Sequence, residues 1–112
     1  MPVYNERTTV EAIIRRVLAV PLRIELIVVD DGSTDGSSDI LSELRKTLNF
    51  ELLRQSNGGK GAALRRGFLA VTGDLVVMQD ADLEYSPEEY PDLIDLIRTG
   101  HADVVYGSRS SL

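Results

Sequence analysis

The sequence contains no cysteine and only one histidine, His101. Disulfide frameworks and zinc sites built from thiolates are therefore excluded. A chain without cysteine fits a reducing compartment, so we expect it in the cytoplasm, with the cytoplasmic face of a membrane as a second option. His101 falls in a predicted turn after a helix, where we expect a surface residue rather than a catalytic one.

Long apolar runs and basic residues are also scarce. No run approaches the ~20 residues of a membrane-spanning helix, so peripheral membrane association would have to come through regions outside these 112 residues. The chain has 12 Lys and Arg against 18 Asp and Glu, a formal net charge of −6. Because nucleic-acid backbones are held by basic surfaces, this balance argues against nucleic acid as a partner. An anionic ligand would need a local cation.

The sequence does contain enough apolar residues for one domain, with 43% hydrophobic content in 112 residues. Short β-branched runs alternate with amphipathic stretches, which predicts βαβ units and a mostly parallel sheet in an α/β fold. Strands are expected over 24–29, 50–53, 75–80 and 102–106. Helices are expected after a capping box formed by Thr8 and Glu11, after a cap at Ser37 or Ser38, after Gly61, and from Pro87.

Three carboxylates occupy alternate positions where the 75–80 strand should meet solvent: Asp80, Asp82 and Glu84. Successive side chains of an extended segment point to opposite sides, so these three can converge while Ala81 faces away. Mg²⁺ takes one or two carboxylates and completes its shell with water and substrate phosphates. The spacing therefore indicates a divalent cation shared with a diphosphate, and a solvated acidic turn is the alternative.

Three loops follow predicted strands, at 30–33, 80–84 and 107–109. In open α/β sheets, ligands bind at the carboxyl edge of the strands. The sequence thus predicts one site at that edge. Lys60 lies in a glycine-rich loop without the spacing of a P-loop, so we do not infer ATP hydrolysis from it.

Five motifs in order give the chain a family resemblance. They are Pro2-Val3-Tyr4-Asn5-Glu6, Val29-Asp30-Asp31-Gly32-Ser33, Asn57-Gly58-Gly59-Lys60-Gly61, Asp80-Ala81-Asp82 and Gly107-Ser108-Arg109. With them the chain resembles family 2 glycosyltransferases, and most of all their dolichol-phosphate mannose synthase branch. The resemblance implies the GT-A fold, a Rossmann-like three-layer α/β/α sandwich, with 1–112 as a single donor-binding domain. It also implies inverting transfer of a sugar, with mannose favoured, from a nucleoside diphosphate sugar such as GDP-mannose to a lipid-linked polyprenyl phosphate.

The resemblance also implies roles for individual residues. Asp80 and Asp82 match the metal motif for Mg²⁺ or Mn²⁺, with Glu84 as a third ligand, and Asp82 and Arg109 take the catalytic positions. Asp31 would accept hydrogen bonds from the base, whereas Asp30 could only cap its loop. The full set of nucleotide-sugar-binding positions is Pro2, Tyr4, Glu6, Val29, Asp31, Lys60, Asp80, Ala81, Asp82 and Arg109.

The chain departs from the family pattern at both ends. Met1 directly precedes Pro2, where family members carry an apolar first strand, and the sequence stops shortly after Arg109. We therefore expect a fragment of a longer domain, truncated at both ends, whose open sheet edge could favour a homo-oligomer. Two alternatives stay open: a glycosyltransferase with a polysaccharide or other hydroxyl acceptor, and a non-catalytic nucleotide-sugar-binding fragment. A nucleotidyltransferase is disfavoured, because its amino-terminal glycine-rich basic loop is not seen.

Overall fold

The computed structural model describes residues 1–72, 76–82 and 86–98. None of the helices in these ranges has the length and apolar character needed to cross a bilayer. The strand expected over 102–106 lies outside the described residues. The elements, in chain order, are β1 Pro2–Val3, α1 Val10–Leu18, β2 Ile27–Asp30, α2 Ser37–Arg45, β3 Glu51–Arg54, α3 Lys60–Leu69, a 3₁₀ turn Pro87–Glu89 and α4 Tyr90–Arg98.

The three strands form one parallel sheet in the order β1-β2-β3. Val3 pairs with Asp30, which in turn pairs with Arg54, so the last residues of all three strands are in register. Each pair of neighbouring strands is connected through a helix, as parallel pairing requires. The predicted βαβ organisation is therefore confirmed for this part of the chain.

Strand β2 is buried on both faces because helices cover both sides of the sheet. Val28 joins the core that contains buried apolar residues of α1 and α2 with Tyr90 and Leu93 of α4, whereas Ile27 and Val29 pack with Ala63 of α3. All four residues of β2 are buried, which is typical of a central parallel strand. The α/β/α layering predicted from the sequence is confirmed.

The larger core is formed mainly by the apolar stripe of α1. Ile13 and Ile14 are fully buried, and they pack with Leu41 of α2 and Leu93 of α4. Burying side chains of this size contributes about 1.5–3 kcal/mol each. This core fixes α1 against the sheet, and α1 follows the loop that carries the first predicted binding residues.

Two predicted helix caps are wrong. Helix α1 has Thr9 at its N-cap rather than Thr8, and no side chain caps its first turn. Glu11 instead forms an i,i+4 ion pair with Arg15, at 3.0 Å. Helix α2 is preceded by Gly36, whose φ of +101° suits glycine far better than serine. Which residue caps a helix depends on the direction from which the chain enters it. The sequence motif alone does not specify that direction.

The strand predicted over 75–80 is also not observed, since residues 76–82 join no β ladder in the structure. Burial still alternates along this segment: Val76 and Met78 are exposed, whereas Gln79 and Ala81 are buried. The segment is therefore oriented as a strand without being paired as one. Strand β1, at the edge of the sheet, is only two residues long and offers almost no backbone for a ladder.

An apolar groove of about 690 Å³ lies beside the residues that lead into β2. Part of its lining comes from Phe68, Val76 and Met78, which are 47%, 45% and 37% exposed. Among the residues that the structure describes, none of the predicted site residues lines it. The groove is therefore separate from the site predicted at the carboxyl edge of the sheet.

Candidate functional site

The loops that follow the three strands meet at the carboxyl edge of the sheet. Because Val3, Asp30 and Arg54 are aligned across the sheet, the loops at 4–9, 31–36 and 55–59 leave it side by side. Residues 80–82 reach the same place, since the Thr9 hydroxyl donates to the Ala81 carbonyl at 2.8 Å. We call the loops 4–9, 31–36 and 55–59, with Lys60 and residues 80–82, the carboxyl-edge site.

The first two loops are joined by side-chain hydrogen bonds. The Asn5 amide N–H donates to Ser33 Oγ at 3.0 Å, and the Thr34 N–H donates to Asn5 Oδ1 at 2.7 Å. The Glu6 N–H donates to Ser37 Oγ at 3.0 Å. Asn5 has a φ of +53°, in the left-handed region that asparagine tolerates better than most residues. These contacts fix the backbone on both sides of residues predicted to bind the nucleotide.

The predicted nucleotide-contacting residues of the first two strands differ in accessibility. Tyr4 is 45% exposed, and Glu6 is half-buried with its Oε2 3.2 Å from the Thr9 hydroxyl oxygen. Val29 is 1% exposed, packs with Ala63 of α3 and donates its N–H to the Met1 carbonyl at 2.9 Å. Pro2 pairs with Val29 in the sheet. Nucleotide contact by these residues stays a prediction.

Asp30 stabilises the loop that follows β2. It is 2% exposed, its Oδ1 accepts from the Ser33 N–H at 3.0 Å, and its Oδ2 accepts from the Ser38 hydroxyl. The Arg54 Nε lies 3.8 Å from the same Oδ2. The alternative in which Asp30 caps its loop is therefore confirmed.

Asp31 holds the glycine-rich loop against the sheet. Its Oδ1 accepts from Gln55 Nε2 at 2.7 Å and from the Gly58 N–H at 2.9 Å, and its Oδ2 accepts from the Gly59 N–H at 2.9 Å. The Gln55 amide, followed by the Gly58 N–H, lowers the pKa of this 3% exposed carboxyl. We call Asp31 and its three donors the Asp31 clamp. The predicted contact between Asp31 and a base stays a prediction.

Gly32 allows the second and third loops to approach each other. Its φ is +77°, and a Cβ at this position would lie 2.7 Å from the Asn57 backbone nitrogen. Any side chain would therefore push the two loops apart. Glycine is thus required at position 32, because the close approach of these two loops also lets Gly58 and Gly59 donate to Asp31.

The acidic motif alternates as the sequence predicted. Ala81 is 3% exposed and joins the core with Tyr90 and Leu93, whereas Asp80 and Asp82 are half-buried. Ala81 is therefore directed into the core. Convergence of Asp80, Asp82 and Glu84 stays a prediction, because Glu84 lies outside the described residues.

Four polar residues support the site but were not predicted from the sequence: Thr9, Gln55, Gln79 and Tyr90. The Tyr90 hydroxyl donates to Gln79 Oε1 at 2.6 Å in the interior, and burial raises the pKa of Tyr90. A signal for this pair was present, because alternation places Gln79 on the same side as Ala81. Tyr90 also precedes Leu93 by three residues on the buried stripe of α4. For Thr9 and Gln55 no comparable signal exists.

Lys60 reaches the acidic motif from the other side of the site. Its Nζ lies 2.5 Å from Asp80 Oδ1, with the lysine side chain 60% and the aspartate side chain 25% exposed. Lys60 is the first residue of α3 and directly follows Gly59 of the Asp31 clamp. The structure thus brings a cation and a predicted metal ligand into contact, and phosphate contact by Lys60 stays a prediction.

The described residues offer two carboxylates for a divalent cation. Among residues 1–72, 76–82 and 86–98, no three acidic, His or Cys side chains are grouped closely enough to hold a metal. Mg²⁺ needs only one or two carboxylates when a diphosphate supplies further oxygens, so Asp80 and Asp82 fit this chemistry. Glu84, predicted as a third ligand, and Arg109, predicted to be catalytic, lie outside the described residues.

The chain is similar to several known proteins. Residues 1–111 match the model of the family described as glycosyl transferase family 2. The undecaprenyl-phosphate 4-deoxy-4-formamido-L-arabinose transferase of Pseudomonas syringae pv. syringae is 39% identical over 118 aligned positions, which cover 99% of this chain and 35% of that protein. The dolichol-phosphate mannosyltransferase of Pyrococcus furiosus is 37% identical over 112 positions, covering 97% and 32%.

Solved structures show the same fold. S. aureus TarS 1-349, crystallised in complex with UDP, superposes with a TM-score of 0.76 at 26% sequence identity, covering 91% of this chain and 32% of that one. The chain thus spans about a third of the length of the relatives it matches.

Proposed function

The chain belongs to glycosyl transferase family 2, and from this premise we propose that it forms the donor-binding part of a polyprenyl-phosphate glycosyltransferase. The reaction would transfer a sugar from a nucleoside diphosphate sugar to a polyprenyl phosphate with inversion at the anomeric carbon. The observation that carries the proposal is the contact of Lys60 with Asp80, 2.5 Å apart at the carboxyl edge of the sheet. This is where an α/β sheet binds its ligand and where a diphosphate would need both a cation and metal ligands.

Different residues of the carboxyl-edge site would bind different parts of the donor. The exposed ring of Tyr4 would stack on the base, and the Glu6 carboxylate would accept hydrogen bonds from the ribose. The Asp31 clamp fixes the loop that carries Lys60, whose ammonium would donate to the diphosphate. The donor would therefore lie across the edge, with its base near the first loop and its diphosphate near Asp80.

Asp80 and Asp82 would hold Mg²⁺ or Mn²⁺ beside the diphosphate. When bound, such a cation neutralises the diphosphate and stabilises the charge that develops on the leaving group. Asp82 is catalytic in this sense, as a ligand next to the reacting phosphate. Arg109 would support the same charge, and Glu84 would add a third carboxylate.

A polyprenyl phosphate is the acceptor class that we propose. Such a phosphate is already anionic and can attack the anomeric carbon without a general base, whereas a hydroxyl acceptor needs one. The names of both curated relatives contain a polyprenyl phosphate, undecaprenyl in one and dolichol in the other. Since this acceptor is a membrane lipid, we place the reaction at the cytoplasmic face of a membrane.

The names of the relatives agree on the acceptor class but not on the sugar. The relatives' names give 4-deoxy-4-formamido-L-arabinose in one protein and mannose in the other, and TarS was crystallised with UDP. GDP-mannose, favoured from the sequence, is therefore one donor to test, and a UDP-linked sugar is the other. Both would use the same diphosphate contacts.

A transfer assay tests the proposal. The protein is incubated with radiolabelled GDP-mannose or UDP-glucose, Mn²⁺, and undecaprenyl phosphate in detergent micelles, and the label in the lipid extract is counted. We expect transfer from one donor, reduced by about 100-fold in Asp80→Asn. Glu43→Gln, which removes an exposed carboxylate of α2, should transfer normally and serves as the control. Nucleotide binding without transfer from either donor would favour the non-catalytic alternative.

A further inference from the structure

The ion pair between Lys60 and Asp80 places a cation on an oxygen that a metal would need. Nζ and Oδ1 are 2.5 Å apart, so the two opposite charges are in direct contact. Asp80 is at the same time one of the two carboxylates that fit a divalent cation. A metal bound to Asp80 would lie within a few ångströms of the ammonium group, and like charges at that distance repel.

We propose that Lys60 acts as a gate on the metal site, occupying Asp80 until a diphosphate draws the ammonium away. This inference rests on the proposed function, since the diphosphate is that of the donor. In the free protein, Lys60 and Asp80 neutralise each other. With the donor present, the lysine donates to a phosphate oxygen, and Asp80 becomes available to the cation that the same diphosphate brings.

The backbone position of Lys60 is fixed by the fold, whereas its side chain can change rotamer. Its backbone begins α3 immediately after Gly59, and both Gly58 and Gly59 donate to the Asp31 carboxylate. Its side chain is 60% exposed and has a flexible four-carbon stem. A fixed backbone with a mobile cation is what transfer between two anions, Asp80 and phosphate, requires.

The gate makes metal and nucleotide binding depend on each other. Metal alone must displace Lys60 from Asp80, whereas metal with a diphosphate leaves the lysine with a new partner. By linkage, each ligand then raises the affinity of the other by the same factor. Lys60 is therefore a positioning residue with opposite effects on two ligands: it weakens binding of metal alone and strengthens binding of nucleoside diphosphate.

The test compares Mn²⁺ binding without nucleotide in the wild type and in Lys60→Met, with free Mn²⁺ followed by electron paramagnetic resonance. We expect Lys60→Met to bind Mn²⁺ about tenfold more tightly, because a neighbouring positive charge is removed. Lys60→Arg keeps the charge and should resemble the wild type. Lys46→Met is the matched control, since it removes an exposed lysine that pairs with Glu43 at 2.9 Å, far from the motif in sequence.

A second titration, with GDP and UDP at saturating Mn²⁺, should show weaker nucleotide binding in Lys60→Met. If Lys60 had only a structural role, Lys60→Met would bind both Mn²⁺ and nucleotide more weakly. Tighter Mn²⁺ binding together with weaker nucleotide binding therefore supports the gate. Equal Mn²⁺ binding in the wild type and Lys60→Met, including no binding in either, would overturn it. Absence of nucleotide binding in the wild type would instead count against the proposed function, because the Mn²⁺ comparison contains no nucleotide.

Discussion

Replacing Asp31 with asparagine tests whether the Asp31 clamp holds the glycine-rich loop in place. The carboxylate accepts three hydrogen bonds, from Gln55 and from the N–H groups of Gly58 and Gly59. An asparagine has one acceptor oxygen, so at least one donor loses its partner and the remaining bonds lose their charge. Hydrogen bonds to charged groups contribute about 1.5–3 kcal/mol, against about 0.5–1.5 kcal/mol for neutral ones. The free energy of unfolding should therefore fall by about 2–4 kcal/mol.

Urea denaturation measures this change. With a slope of about 2 kcal/mol per molar urea, the midpoint at pH 7 should fall by roughly 1–2 M in Asp31→Asn. Asp39→Asn, which changes an exposed aspartate of α2, should stay within about 0.5 kcal/mol of the wild type and is the control. A loss below about 0.5 kcal/mol in Asp31→Asn would refute the clamp.

Acidification adds a second criterion. The folded pKa of Asp31 lies below its ordinary value, so its stabilisation is present above the unfolded pKa of about 3.9 and is lost as the pH falls through the folded pKa. Asparagine does not titrate, so the stability difference between the two proteins should be constant above about pH 5 and should shrink as the pH falls from there through the folded pKa. Glu25, Asp35 and Glu88 also have lowered pKa values, but they are present in both proteins and cancel in the difference. A difference that stays constant with pH would contradict this account.

Three further predictions concern the supports of the site and the groove. Tyr90→Phe leaves the buried Gln79 Oε1 without its hydroxyl donor, so thermal unfolding should show a loss of about 1–3 kcal/mol, and an unchanged midpoint would contradict the buried pair. Thr9→Val removes the donor to the Ala81 carbonyl, and calorimetry should show weaker Mn²⁺-dependent nucleotide binding than in Thr9→Ser, which keeps the hydroxyl. Phe68→Ser removes an exposed apolar side chain from the groove and should reduce any self-association seen by sedimentation velocity, whereas a wild type that is monomeric at every concentration would refute this prediction.

Local periodicity predicted the framework of this fold. Val10, Ile13, Ile14, Val17 and Leu18 recur at helical spacing; in α1 the first four are buried and Leu18 is partly buried against the same core. Turn-forming residues after β2 predicted the loop that Asp30 caps. These features depend on residues a few positions apart, so the sequence contains them directly.

The contacts that assemble the site are long-range and could not be predicted in this way. Thr9 meets Ala81 across 72 positions, and Asp31 meets Gly59 across 28. Residues 76–80 are the converse case. Their β-branched and alternating pattern is that of a strand, but they pair with no strand that the structure describes. Pairing depends on a neighbour, and β1 supplies only two residues. The family resemblance indicated which loops converge, but not that Lys60 would contact Asp80.

Calorimetric titration of GDP and UDP, with Mn²⁺ and again with a chelator, tests the central claim of a metal-dependent donor site most directly. The comparison includes a double variant, Asp80→Asn with Asp82→Asn, and Glu43→Gln as the control. We predict that one of the two nucleotides binds in Mn²⁺, that the chelator weakens this binding, and that the double variant abolishes its metal dependence. Absence of binding by both nucleotides, or binding that neither the chelator nor the double variant changes, would contradict the account.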